Sequence, residues 1–134
     1  MLIFAKMNVL AVGIEQQAEA LQGLPIRLLN LTHGSEAIHS FRNDPIDSVI
    51  SHWNLVDMPD GQFLRSLRRI RPDMPTIAVI QPNNPQQEIE ARMLGVSAVV
   101  CEDSDSGYFR TVLTNVLGLQ SAEAIETLYA VREA

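Results

Sequence analysis

The chain has 134 residues, 46% of them hydrophobic and 19% charged, which excludes a disordered chain, a collagen and a coiled-coil rod. Ten basic residues against sixteen acidic ones give a formal net charge of −6, which argues against nucleic acid or an anionic membrane as a partner. The one cysteine, Cys101, excludes an intrachain disulfide and is typical of a reducing compartment, so we expect a cytoplasmic protein.

Five short apolar stretches rich in β-branched residues predict buried strands, because their length and composition fit strands better than helices. In chain order they cover residues 9–12, 26–31, 48–51, 76–80 and 97–101. An earlier apolar run, residues 2–5, is too short for a membrane span or a signal sequence.

Segments with helical spacing alternate with these strands and cover about residues 16–21, 35–44, 62–71, 85–94 and 106–117. The fourth has the clearest signals, with Asn84 as N-cap, Pro85 at the first helical position and Gly95 as the stop. Five alternations of strand and helix predict a doubly wound, flavodoxin-like α/β domain with a five-stranded parallel sheet.

The C-terminal residues exceed what this domain needs. We expect residues 1–118 to form the domain and residues 119–134 to form an extra helix or a linker to an output element. Ser121 is a possible N-cap, and Ile125 and Leu128 share one stripe with Val131. The helix either packs on its own domain or connects to a further domain or to a second copy.

The loop after the first predicted strand begins Gly13-Ile14-Glu15 and lies at the carboxyl end of the predicted sheet, where ligands bind in folds of this class. It contains no glycine-rich phosphate loop, no Walker lysine and no Ser/Thr run for a flavin phosphate. We therefore expect no nucleotide or flavin cofactor.

Three segments carry a family resemblance. Residues 45–61 read PIDSVISHWNLVDMPDG, residues 70–75 read IRPDMP and residues 91–97 read ARMLGVS. Together they resemble the receiver domain of response regulators, over about residues 7–118. The resemblance implies a role in two-component signal transduction.

The resemblance also implies a set of chemical positions: an acidic pair for Mg²⁺, an aspartate that accepts phosphoryl, a Ser or Thr, and a lysine. In this chain they fall, in that order, on Gly13 and Ile14, on His52 or Trp53, on Ile80, and on Glu102. The lysine is lost whatever the alignment, because the only lysine is Lys6. We therefore expect a degenerate pseudo-receiver that is not an enzyme.

His52 has three interpretations: a phosphohistidine acceptor, a pH-sensitive hydrogen-bond partner of a carboxylate, or a filler of the former pocket together with Trp53. The second is favoured over the first, because the predicted neighbours are the acidic residues Glu15, Glu102 and Asp103 and no cation. The same three carboxylates are weak candidates for a cation site without phosphorylation.

Two other sites are disfavoured. A metal site built from His52, Cys101 and the remaining histidines is improbable, because His33 and His39 flank the second predicted helix and fall far from His52. Asp57 as an alternative phosphoacceptor would lie past the end of the third strand and would lack a neutralising lysine.

Two surfaces are candidates for partner binding. Arg65, Arg68 and Arg69 share a helix face, which is either a solvated face or a docking site for an acidic partner. Apolar residues of the last strand and its flanking helices form the second candidate, namely Met93, Val99 and Phe109. We expect a protein-interaction module that contacts a signalling partner or forms a homodimer; the alternative is a small-molecule or ion sensor that uses the emptied acidic pocket.

Overall fold

The computed structural model describes residues 7–118, and all five predicted strands are present. They form one parallel sheet in the order β2-β1-β3-β4-β5. The strands are β1 (Met7–Val12), β2 (Ile26–Leu31), β3 (Ser48–His52), β4 (Thr76–Ile80) and β5 (Ala98–Cys101). The predicted doubly wound α/β fold is confirmed.

Three α-helices connect strands β2 to β5, namely α1 (Gly34–Asn43), α2 (Gln62–Ile70) and α3 (Pro85–Leu94), and a fourth, α4 (Ser106–Leu117), follows β5. The predicted start of α3 is confirmed, since the Asn84 side chain accepts from the Gln87 N–H, and Gly95 ends the helix in the left-handed conformation at φ 91°. Asp105 caps α4 in the same way, accepting from the N–H groups of residues 107 and 108.

The prediction of a helix over about residues 16–21 is wrong. Between β1 and β2 the structure has only a 3₁₀ turn, Ala18–Leu21, held by the packing of Ile14 and Leu21 into the core layer that also contains Phe109. The turn begins where the N–H groups of residues 17 and 18 both donate to the Ile14 carbonyl. Arg110 of α4 then holds its end, donating to the carbonyls of Ala20 at 3.1 Å and Gln22 at 2.6 Å.

Alternate side chains of each central strand enter two separate core layers. Leu10, Val49 and their neighbours pack under α1, α2 and α3. Val9, Ile50 and their neighbours pack under α4 and the 3₁₀ turn. The carboxyl ends of the central strands are therefore fixed by a sheet that is buried on both faces.

None of the helices in residues 7–118 has the length and apolarity needed to cross a bilayer. The helix predicted over residues 121–134 lies outside the residues that the structure describes.

Candidate functional site

Two side chains meet at the carboxyl end of the sheet, from strands that are not neighbours. His52 is the last residue of β3 and Glu102 directly follows β5, with β4 between them. The His52 Nε2 and Glu102 Oε2 atoms are 2.6 Å apart. The pair borders a cavity of about 280 Å³ whose lining is mostly polar: Gly13, Glu15, Gln16, Gln17, His52, Asn54 and Glu102.

Hydrogen bonding fixes the tautomer of His52. The Asn54 backbone N–H lies 3.1 Å from Nδ1, and a backbone N–H only donates, so Nδ1 is an acceptor. Nε2 therefore carries the ring hydrogen of the neutral imidazole and donates it to the Glu102 carboxylate. The predicted bond between His52 and a carboxylate is confirmed, and the His52 side chain is only 11% exposed.

The backbone of Glu102 is held on both sides. Its N–H donates to the Ile80 carbonyl at 2.8 Å, and its own carbonyl accepts from the Gln17 side-chain amide at 2.9 Å. Gln17 is a site residue that sequence reasoning missed, because its contact with residue 102 spans 85 positions. The anchored backbone leaves the Glu102 carboxylate directed at His52.

The other two predicted carboxylates do not join this pair to form a metal site. Glu15 accepts a hydrogen bond from the Thr32 hydroxyl at 2.8 Å. Asp103 lies beside Cys101, where burial of the thiol, followed by this carboxylate, raises the pKa of Cys101. Among residues 7–118 no group of three His, Cys, Asp or Glu side chains is close enough to hold a metal ion.

The remaining histidines lie elsewhere, His33 directly before α1 and His39 within it. The His33 ring pairs with the Glu36 carboxylate at 3.0 Å, and Asn43 contacts the His39 ring and donates to its carbonyl. Neither ring is among the side chains that line the cavity at His52.

Trp53 points away from the cavity and into the core layer under α1, α2 and α3. It is 1% exposed, and the Arg65 guanidinium lies 5.5 Å from its ring centroid. A side chain at Gly61 would overlap the ring, so glycine is required there, and its φ of 76° adds to that requirement. Of the two candidate acceptor positions, His52 is therefore the one whose side chain faces the cavity.

Asp57 has a structural task at another helix. Its carboxylate accepts from the Gly34 N–H at 2.8 Å and the Ser35 N–H at 3.0 Å, and so caps α1 from 22 to 23 residues away. These backbone hydrogen bonds, that of Ser35 first, lower the pKa of Asp57 to about 2. Both carboxylate oxygens are thus engaged in holding the loop after β3 against α1.

Hydrogen bonds between Gln81 and Gln87 hold the loop after β4 against the start of α3. Ile80, at the predicted Ser/Thr position, is buried. The next residue, Gln81, donates its N–H to the Gln87 side-chain carbonyl at 2.9 Å, and Gln87 donates back to the Gln81 side chain at 3.2 Å. The sequence shows three glutamines in residues 81–87, but not that Gln87 is buried and pairs with Gln81.

The predicted arginine face is mostly engaged. Arg65 pairs with Glu90 at 3.7 Å, and Arg68 donates to the Met74 carbonyl at 3.4 Å. Arg69 is exposed. The three arginines therefore do not form one free basic surface.

The three apolar candidates for partner binding differ in how exposed they are. Met93 is 82% exposed, whereas Val99 is partly buried against the core. Phe109 is 3% exposed, so its expected place on a binding surface is wrong. It lies on the sheet side of α4, in line with Leu113 and Leu117 at intervals of four residues.

No protein-family model matches the chain, and no curated protein matches it. Solved structures do. The signal receiver domain of an HD domain-containing protein from Pseudomonas fluorescens Pf-5 is 18% identical, with 88% of this chain and 99% of that chain covered, at a TM-score of 0.76.

Two further structures agree. A CheY-like response regulator receiver domain protein from Methanospirillum hungatei JF-1 is 16% identical, with 89% and 99% of the two chains covered and a TM-score of 0.74. The receiver domain of a sensor histidine kinase from Pseudomonas aeruginosa PAO1, with magnesium in its active site cleft, is 16% identical, with 85% and 99% covered and a TM-score of 0.73. The chain has the fold of response regulator receiver domains.

Proposed function

We propose that this chain is a signalling module of the receiver type that does not accept a phosphoryl group and acts through contacts with other proteins. The receiver fold supports a regulatory role in signal transduction. The observation that carries the finer proposal is the pair formed by His52 and Glu102, which occupies the positions expected for an aspartate nucleophile and a lysine.

The charges of this pair are unsuited to aspartyl phosphorylation. That reaction needs a carboxylate nucleophile and cations that neutralise the charge developing on the transferred phosphoryl group. Here the expected nucleophile is an imidazole, and the expected cation is the carboxylate of Glu102. A phosphoryl group at this place would be repelled by the carboxylate.

His52 is also a poor nucleophile in this arrangement. Its Nε2 carries the hydrogen donated to Glu102, and its Nδ1 lone pair accepts from the Asn54 N–H. Neither ring nitrogen presents a free lone pair to a phosphoryl donor.

The residues present do not fit the magnesium ion that the fold family implies. Gly13 has no side chain, and the Ile14 side chain is buried in the core. Glu15 is bonded to Thr32, and the Glu102 carboxylate is bonded to His52.

Intact-mass measurement tests the proposal. The full chain is incubated with Mg²⁺ and acetyl phosphate, alongside a receiver domain with a complete site as positive control. We expect a phosphoryl adduct on the control and none on this chain. An adduct here would overturn the proposal; its loss in His52→Ala or in Asp57→Asn would then identify the acceptor.

Ligand sensing is the second candidate, favoured by the polar cavity beside His52. A neighbouring cavity of about 210 Å³ shares Gln16, Gln17 and Glu102 with it. A ligand that binds only the folded chain must raise its melting temperature. A thermal-shift screen of small cations and metabolites therefore tests this candidate, with Glu102→Ala as the matched variant in which a true cavity ligand loses its effect.

A further inference from the structure

The loop after β3, residues 53–61, connects the ring of His52 to the start of α1. Where the loop begins, the Asn54 N–H donates to His52 Nδ1 at 3.1 Å. The Asn54 side chain in turn accepts from the Asp60 N–H at 2.7 Å. Between these two residues, the Asp57 carboxylate caps α1 at 2.8 and 3.0 Å. A short chain of hydrogen bonds therefore joins one imidazole nitrogen to one helix N-terminus.

Packing supports the same connection. The Leu55 N–H donates to the Met58 carbonyl at 3.1 Å, and the Leu55 side chain is buried. A side chain at Gly34, the first residue of α1, would overlap the sulfur of Met58. The loop therefore lies against the first turn of α1 with little free space between them.

Only the neutral ring of His52 can keep both of its hydrogen bonds. The cation carries a hydrogen on each ring nitrogen, so no orientation of it offers an acceptor to the Asn54 N–H. A second proton strengthens the bond from Nε2 to Glu102, which becomes charge-assisted. The same proton places two donors, Nδ1–H and the Asn54 N–H, against each other.

The ring borders a polar cavity, so protons can reach it although its side chain is only 11% exposed. None of the side chains that line this cavity is basic. On the neighbouring strand β4 its register partner is Val79, which carries no charge. The charged groups of the loops around the ring are Glu15 after β1, Glu102 after β5, and Asp57 and Asp60 after β3. Carboxylates thus lie on the Nε2 side of the ring and the opposing donor lies on the Nδ1 side.

We propose that His52 is a pH-dependent switch: when its ring gains a second proton, the Asn54 N–H is released and the loop after β3 loosens from α1. The two states are discrete, because Nδ1 either accepts a hydrogen bond or carries a hydrogen. This inference rests on the proposed function and deepens it, since it gives a module that does not accept a phosphoryl group another input, the proton concentration.

NMR spectra of the full chain between about pH 8 and pH 5 provide the first test, because imidazoles titrate in this range and Asp57 titrates well below it. We expect the His52 ring to change from the Nε2–H tautomer to the doubly protonated form. The amide signals of Asn54, Gly34 and Ser35 should shift with the same midpoint. Amide signals that do not move as the ring gains its proton, or a ring that stays neutral at pH 5, would overturn the inference.

Two variants assign the response to one histidine. The double variant His33→Asn/His39→Asn leaves His52 as the only histidine of the chain and should keep the response. His52→Asn removes the titrating ring but retains a side-chain oxygen that can accept from the Asn54 N–H, and it should abolish the response. Loss of the response in the first variant, or its persistence in the second, would contradict the role of His52.

Reciprocity provides the sharper test. If the hold of the loop on the Asn54 N–H opposes the proton, weakening that hold must favour the proton. Asp57→Asn removes the cap on α1, so it should move the midpoint of the His52 titration to higher pH. Asp60→Asn is the matched control: it removes the same charge from the same loop, and the loss of a negative charge alone moves the midpoint to lower pH. A midpoint that is unchanged or lowered in Asp57→Asn would overturn the coupling between the ring and α1.

The two proposals fail separately. A His52 ring that stays neutral, or that gains a proton without any response of the loop, overturns the switch and leaves the absence of phosphorylation as it stands. A phosphoryl adduct in the mass measurement overturns the proposed function, whatever the response to pH.

Discussion

His52 and Glu102 are joined by a 2.6 Å hydrogen bond although β4 lies between their strands. The resemblance to receiver domains leads one to expect an acid on β3 and a base after β5. In this chain the base is on β3 and the acid follows β5. We expect the two changes to compensate each other, so that restoring the family's residue at one of the two positions alone destabilises the chain.

The first prediction concerns this compensation. Glu102→Lys should destabilise the chain by about 1–3 kcal/mol, because it leaves the partly buried His52 Nε2–H facing a second donor. The double variant with His52→Asp should recover part of that loss. Urea unfolding measures both, and purely additive losses would contradict the coupling.

Glu102→Ala should cost about 1–2 kcal/mol, since the His52 donor then has no partner. Glu15→Ala is the control, because Glu15 borders the same cavity and, among the described residues, bonds to Thr32 at an exposed position. We expect the control to change the free energy of unfolding by less than about 0.5 kcal/mol.

The tautomer of His52 is directly observable. Long-range ¹H–¹⁵N NMR spectra at neutral pH should show the hydrogen on Nε2 and a bare Nδ1, because Nδ1 accepts from the Asn54 N–H. In Glu102→Ala the signal should become exchange-broadened. A hydrogen found on Nδ1 would contradict the arrangement at this site.

The cap on α1 should appear in the pH dependence of stability. The pKa of Asp57 is lowered from 3.8 to about 2 in the folded chain, so its stabilisation is complete above about pH 4 and is lost as the pH falls toward 2. Asp57→Asn should cost about 1 kcal/mol at pH 7 and only a small part of that at pH 2, where the carboxylate of the folded chain is about half protonated.

Asp60→Asn is the matched control for this cap. Asp60 lies in the same loop. Its backbone N–H donates to the Asn54 side chain, whereas Asp57 acts through its side-chain carboxylate. An equal cost for both variants at pH 7 would contradict the assignment of the cap to Asp57.

Packing around Trp53 gives a prediction about glycine. Gly61→Ala should destabilise the chain by about 2–4 kcal/mol, because the new methyl group would overlap the Trp53 ring and the backbone is left-handed. Gly118→Ala has the same backbone strain, at φ 72°, but open space around it. It should cost only about 1 kcal/mol, and thermal unfolding followed by tryptophan fluorescence distinguishes the two.

The sequence was sufficient for those parts of the fold that local signals specify. The start of α3 at Asn84 and Pro85 and its end at Gly95 depend on neighbouring residues, and the structure has them where they were predicted. The segment between β1 and β2 was predicted as a helix because its apolar spacing is ambiguous over so few residues. Only the tertiary contacts of Ile14 and Leu21 decide for a single turn.

The site was predicted only in part, because local patterns mark some of its residues and not others. The resemblance located His52 and Glu102 at strand ends, and parallel strands bring their carboxyl ends to one edge. The contacts of Gln17 with residue 102 and of Asp57 with α1 join residues distant in sequence, and no local pattern marks them. The pairing of Gln87 with Gln81 likewise has no local pattern that marks it.

The attachment of the 3₁₀ turn between β1 and β2 to Arg110 has a consequence for synthesis of the chain. The guanidinium that holds the 3₁₀ turn comes 88 to 90 residues after the carbonyls it binds. A nascent chain on the ribosome therefore has β1 and β2 long before it has the helix that covers their second apolar layer. Until α4 emerges, Val9 and Ile50 lack one of the two elements that cover them, so the unfinished chain exposes part of that apolar layer.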